Sequence, residues 1–184
     1  MSAGENAHAR WVEEALRKHE APLVQYATRL LGDADAARDV VQDAFLRLCE
    51  QDRSAVDGHL APWLYRVCRN RAVDALRRRR VTPKTNSALL DGTAEGTSPA
   101  SNPGAAVDAR DAAAVAVAAL STLPVAQQEV LRLKLRHGLA YREIAEVTGL
   151  TVNHVGVLIH EGMKALRRRL SLPAPTLARD GGAR

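Results

Sequence analysis

The sequence predicts an all-α protein, two small helical domains joined by a flexible linker. Three observations carry this expectation. Hydrophobic residues make up 46% of the 184 residues but aromatics only 3%, so the core is built mainly from Leu, Val and Ala in a chain rich in helix formers. Apolar residues recur at spacings of three and four along most of the chain. Residues 81–106, VTPKTNSALLDGTAEGTSPASNPGAA, break that rhythm with Pro83, Pro99, Pro103, Gly92, Gly96 and Gly104 among many Ser, Thr and Asn. That is linker composition.

The first domain is expected over 8–80. Trp11–His19 reads as a short helix. Pro22 suits the first turn of a second helix, which Gly32 ends. Asp33 or Asp35 caps a third helix that runs to about Glu50. On it Val40, Val41, Ala44, Phe45 and Leu48 form one apolar stripe, with Asp39, Gln42, Asp43 and Arg47 off it. Residues 51–60 read as a loop. A fourth helix runs from about Ala61 to Arg79, with Pro62 in its first turn.

The second domain is expected over 107–171. Val107–Leu120 is an alanine-rich helix. Leu123-Pro124 opens another, which Gly138 ends. Tyr141–Thr148 and Val152–Leu170 then flank Gly149-Leu150-Thr151, the pattern of a helix-turn-helix, with Thr151 as N-cap of the last helix. Ordinary helical hairpins share that spacing. On the last helix Val152, Val155, Ile159, Met163, Leu166 and Leu170 are expected to face the core. The tail 172–184 reads as disordered.

The bulk numbers exclude some classes. Net charge is +5, nearly all of the positive charge is arginine, and only Cys49 and Cys68 occur. Two cysteines fit a reducing compartment better than a disulfide scaffold. No apolar run approaches the roughly 20 residues of a membrane span, and the N-terminus lacks the apolar segment of a signal peptide. A soluble cytoplasmic protein without membrane insertion is expected. There is no Gly-rich phosphate loop. His137, His154, His160 and Glu161 lack the i, i+4 histidine pair of a metalloprotease helix. Neither catalysis, a metal nor a cofactor is expected.

Two stretches carry chemistry of opposite sign. In residues 63–80, WLYRVCRNRAVDALRRRR, seven arginines face the single acid Asp74. Guanidinium groups bind phosphate bidentately and stack on bases, and Trp63 and Tyr65 could stack on unpaired bases. A solvated basic helix end is the plainer alternative. In residues 33–52 six acids outnumber Arg38 and Arg47. An acidic face repels DNA but suits a basic protein surface. On the last helix Asn153, Gly156, Val157, His160 and Lys164 fall on the outer side. Near its N-terminus such a helix enters the major groove. There Asn153 would read a base edge and Val157 would touch a thymine methyl.

Together these stretches resemble the extracytoplasmic-function (ECF, group IV) sigma factors of bacterial RNA polymerase. LVQYATRLLGDADAARDVVQDAFLRL (23–48) looks like regions 2.1 and 2.2 of that family, and APWLYRVCRNRAVDALRRRR (61–80) like regions 2.3 and 2.4. Residues 120–170 look like region 4. The resemblance implies a sigma factor that binds core RNA polymerase and directs promoter recognition, strand opening and transcription initiation. It implies core docking by Asp39, Gln42, Asp43 and Phe45. It implies −10 contacts by Trp63, Arg66, Arg69, Asn70, Arg71, Asp74, Arg77 and Arg78. The loop 51–60 would help capture a flipped −10 base. Contacts with the −35 element would come from Asn153, His154, Gly156, Val157, His160, Lys164, Arg167 and Arg168. Promoter DNA and an anti-sigma factor are the further implied partners, and the linker would thread the polymerase near the RNA exit path.

The chain departs from the family pattern where many relatives carry cationic or hydroxyl residues. It has Gly156, Val157, Leu158 and Glu161 there, Ala140 in place of a Ser cap, and Gln128 where Arg is common. The −35 affinity is then weak, or rests on Asn153, His154 and His160, or on DNA shape. The alternative is a helix-turn-helix regulator that is no polymerase subunit; the acidic third helix and the arginine-asparagine helix after it speak against that.

Overall fold

The computed structural model describes residues 3–81 and 115–170. The described residues are helical or in short connections, with no strand among them. The predicted linker beyond Val81, residues 107–114 of the predicted alanine-rich helix, and the predicted tail lie outside the described residues.

Helix α1 spans Ala3–Leu31 and α2 spans Ala34–Cys49. A single turn, α3, spans Arg53–Val56, and α4 spans Leu60–Val81. Residues 115–121 form the described part of α5. Then come α6 (Val125–Leu135), α7 (Tyr141–Thr148) and α8 (Val152–Leu170). Two compact units result, one holding α1–α4 with α7, the other α5, α6 and α8.

The expectation of two helices before Gly32 is corrected: α1 is continuous, with Pro22 inside it. Proline removes one N–H and so one intrahelical bond. No cap residue or glycine interrupts the chain there. Ala15, Leu23, Tyr26, Ala27 and Leu31 are all buried, so packing on both sides of the proline holds one axis, as tertiary burial does for most helices. The helix ends where Gly32 takes φ 68° and its N–H bonds the Thr28 carbonyl at 2.8 Å.

Asp33 starts α2. Its Oδ1 accepts from the N–H groups of Asp35 (3.0 Å) and Ala36 (3.1 Å), meeting two donors that a helix N-terminus otherwise leaves unpaired. The apolar stripe is buried as expected: Val40, Val41, Ala44, Phe45 and Leu48 join Ala37 in the core. They meet α1 and α4. From α4 come Leu64, Tyr65, Cys68 and Ala72, and Tyr65 meets Tyr26 edge-on with ring centroids 5.2 Å apart. Leu23, Leu48 and Leu64 are wholly buried, each worth about 1.5–3 kcal/mol relative to exposure. The predicted loop 51–60 contains α3, whose Val56 is buried at 1% exposure. Helix α7 packs on α4.

In the second unit α6 packs on α8. Val130, Leu131 and Leu133 are buried from one helix, Val155, Ile159, Gly162 and Leu166 from the other. A Cβ on Gly162 would lie 2.7 Å from Leu131 Cδ1, so the glycine sets how closely the helices approach. Val152, expected in the core, is 42% exposed. It is the first residue of α8, and the buried face begins one turn later at Val155. Gln128 ties α6 to the segment before it. Its Nε2 donates to the carbonyls of Ser121 (3.1 Å) and Leu123 (2.8 Å), and its Oε1 accepts from Arg132 (2.9 Å).

Candidate nucleic-acid interface

Helix α4 buries one side and exposes the other. Leu64, Tyr65, Val67, Cys68 and Ala72 are buried. Arg66, Asn70, Asp74, Arg77, Arg78 and Arg79 are exposed. Positions 66, 70, 74 and 77 follow helical spacing, so they share one face. Trp63 is half-buried on the same side, one turn before Arg66. The result is a stripe of guanidinium groups, an amide and the Asp74 carboxylate, with an indole at its start. Apart from the carboxylate, these groups suit phosphates, base edges and base stacking.

Not every predicted residue belongs to that stripe. Tyr65 is 3% exposed and engaged with Tyr26, so it is core and not a base platform. Arg69 and Arg71 are half-buried. Arg71 turns back toward α2, its Nη2 3.5 Å from Asp43 Oδ2, while its Nε is buried without a hydrogen-bond partner. Arg79 also turns back and donates from Nη2 to Asp33 Oδ2 at 2.8 Å. Asp33 thus serves two roles, capping α2 and holding the end of α4. Its carboxyl titrates below the ordinary aspartate value, first through the bond from the Ala36 N–H and next through Arg79.

On α2, Asp39 and Gln42 are exposed and Asp43 is half-buried. Leu46, one turn beyond Gln42 and Asp43, is 57% exposed. Phe45, assigned to docking by family resemblance, is 6% exposed and part of the core. In this structure it supports α2 from within. The exposed apolar side chain on the acidic face of α2 is Leu46, which lies off the apolar stripe and carries no charge to mark it.

The two cysteines differ. Cys49 is exposed and Cys68 is buried. Burial pushes the Cys68 thiol up to about 12, so it stays protonated and unreactive.

Helix α8 follows Gly149, which takes φ 74° and donates its N–H to the Ala145 carbonyl at 2.9 Å. That left-handed residue is why α7 stops there. At the other end of α7 the Ala140 N–H donates to Glu143 Oε2 at 2.6 Å. The backbone half of a capping box is present although the side-chain half is not. On α8, Asn153, His154, Val157, His160, Glu161, Lys164 and Arg168 are exposed, while Gly156 and Arg167 are half-buried. Glu161 accepts from Gln127 Nε2 at 3.3 Å, which directs that acid toward α6. His137 is partly buried, and burial, with Arg136 adding, lowers its pKa to about 4.

Family models place these helices in a sigma-type transcription initiation factor. The family model described as Sigma-70 region 2 matches residues 15–82, and the one described as Sigma-70, region 4 matches residues 115–166. The chain is 30% identical to the ECF RNA polymerase sigma factor SigL of Mycobacterium tuberculosis (strain ATCC 25618 / H37Rv) over 174 residues, covering 92% of this chain and 94% of the relative. It is 28% identical to the ECF RNA polymerase sigma factor SigW of Bacillus subtilis (strain 168), covering 80% and 82%. The fold matches the sigma factor RpoE solved with the anti-sigma factor NepR from Bartonella quintana, with TM-score 0.65, 19% identity, and 88% and 98% of the two chains covered. It also matches CnrH solved with the cytosolic domain of CnrY, with TM-score 0.55, 24% identity, and 90% and 91% covered. The chain belongs to the ECF RNA polymerase sigma factors. It is a polymerase-binding factor that directs promoter recognition and transcription initiation.

Proposed function

We propose that this sigma factor divides its work between the acidic face of α2 and two exposed helix faces, those of α4 and α8. Asp39, Gln42 and Asp43, with Leu46 beside them, dock on a basic surface of core polymerase. Arg66, Asn70, Arg77 and Arg78 hold the −10 strand as it leaves the duplex, and Trp63 stacks on a base. Asn153, His160, Lys164 and Arg168 of α8 meet the −35 element. The domains expected from the sequence, 8–80 and 107–171, carry these faces, and 81–106 joins them. The polymerase makes the RNA; this chain supplies no catalytic group and acts in the cytoplasm. An anti-sigma factor is the proposed partner of the idle state.

The observation that supports this most is the division of α4. Its buried side is apolar, and its exposed side aligns Arg66, Asn70 and Arg77. Guanidinium and amide groups also read base edges in a duplex groove; the indole at the head of the stripe is what suits an unpaired base. The test is binding of core polymerase with this chain to a fork DNA whose −10 non-template strand is unpaired. The reading expects tighter binding to the fork than to the matched duplex, and a loss of that preference in Asn70→Ala with Arg77→Ala. Equal affinity for fork and duplex would refute it.

Among the described residues, no helix is long and apolar enough to cross a membrane.

A further inference from the structure

We propose that Val157 reads the 5-methyl group of thymine in the −35 element, which makes a methyl contact a determinant of promoter choice by this chain. The proposal rests on the assignment of α8 to that element.

Asn153, Val157, His160 and Lys164 are exposed on α8 at spacings of four, three and four, so they line one narrow arc of the helix. Val155, Ile159, Gly162 and Leu166 fill the buried face. Val157 lies within the outward arc at 52% exposure. Its neighbours there are an amide, an imidazole and an ammonium, all able to serve polar groups of DNA. The valine cannot.

In the major groove the base edges present donors, acceptors and one apolar feature, the thymine methyl. A valine facing base edges therefore discriminates in two ways. It gains by covering a methyl, and it loses by desolvating a donor or acceptor it cannot satisfy. A lone exposed valine on an ordinary surface needs no explanation. This one sits amid the polar residues of the face proposed to enter the groove. Gly156, just before it, has no side chain to cover it. Glu161, one turn after it, is bonded to Gln127 on α6, which draws its carboxylate toward that helix. A β-branched residue in a helix keeps essentially one χ1 rotamer, so the methyls of Val157 are already fixed in direction and little entropy is lost on contact.

The experiment uses the full chain with core polymerase on a promoter whose start site it directs. Each thymine of the −35 element is replaced in turn by deoxyuridine, which removes the methyl and keeps every hydrogen-bonding group. At one or two positions affinity is expected to fall about three- to fivefold, the scale of one buried methyl. Val157→Ala should lower affinity for the thymine promoter by a similar factor and abolish the difference between thymine and deoxyuridine. Val157→Thr, which keeps the shape and controls for folding, should fall between. Full discrimination by Val157→Ala, insensitivity to every deoxyuridine, or a −35 element without thymine would overturn the proposal. Absence of any start site directed by this chain would instead overturn the proposed function on which it rests.

Discussion

Arg71 of α4 reaches back to Asp43 of α2, with Nη2 3.5 Å from Oδ2. The pair joins a helix proposed to hold DNA to a face proposed to dock on polymerase. Both side chains are partly exposed, 32% and 48%, so the attraction is screened and worth about 0–1 kcal/mol. Its buried Nε lacks a partner, so the guanidinium is incompletely satisfied where it sits. Asp43→Asn is expected to cost less than about 1 kcal/mol in urea unfolding. Asp43→Arg, which places a cation where a basic partner should dock, is expected to weaken core polymerase binding at least about tenfold. Unchanged affinity in a fluorescence titration would count against the acidic docking face.

The exposed stripe of α4 should be separable from docking. Asn70→Ala with Arg77→Ala touches two exposed positions, where substitutions usually stay within about 0.5 kcal/mol. Core binding and thermal stability are expected to hold. Permanganate reactivity of unpaired thymines around the −10 element is expected to fall at least about fivefold, roughly the loss of one good contact. Normal reactivity would remove these residues from strand opening.

Gly162 tests the packing of the second unit. Alanine there gains about 1 kcal/mol in helix propensity. Its Cβ, however, would lie 2.7 Å from Leu131 Cδ1, and Leu131 is fully buried. Overpacking of this kind costs about 1–3 kcal/mol. Gly162→Ala is expected to be a net destabilisation of about 1 kcal/mol in calorimetry. Leu131→Ala alone should cost about 2–5 kcal/mol. The double variant should be more stable than the sum of the two predicts. Simple additivity would show that the helices do not meet at this point.

His137 gives the second unit a pH dependence of definite sign. Its pKa is lowered by burial from 6.5 to about 4, so the unfolded chain binds its proton first as pH falls. Stability from keeping it neutral is fully present above about pH 6.5 and is lost as pH falls toward 4. Asp33 acts in the same direction further down, since its depressed carboxyl protonates only below the ordinary aspartate range. His137→Gln should flatten the melting temperature between pH 6.5 and pH 4, and the His137 ring should titrate near pH 4 by NMR. Titration near 6.5 would contradict the burial of the ring.

Much of the fold was legible because periodicity reports burial. The α2 stripe, a cap at Asp33 or Asp35, the turn at Gly149-Leu150-Thr151 and, apart from Val152, the division of α8 could be read from residue pattern. What escaped were features set by tertiary partners. Pro22 reads as a helix start, yet buried residues on both sides of it keep α1 continuous. Gly162 has no side chain to enter an apolar pattern, and the packing of Leu131 and Gln127 against it makes it a core residue. Phe45 carried a docking role from family resemblance and Tyr65 a stacking role as an aromatic, but both are buried. The candidate surfaces were legible by charge, because a one-sided run of arginines or acids is visible in any linear sequence. Which arginines point outward was not, since Arg71 and Arg79 find their acids only after α2 and α4 have packed.

This chain directs initiation by polymerase. The most direct measurement is transcription of genomic fragments by purified core polymerase with and without the chain, sequencing the 5′ ends. The account predicts new start sites that share an upstream two-part motif and vanish with Asn70→Ala and Arg77→Ala. No chain-dependent start sites, together with no binding to core polymerase, would contradict it.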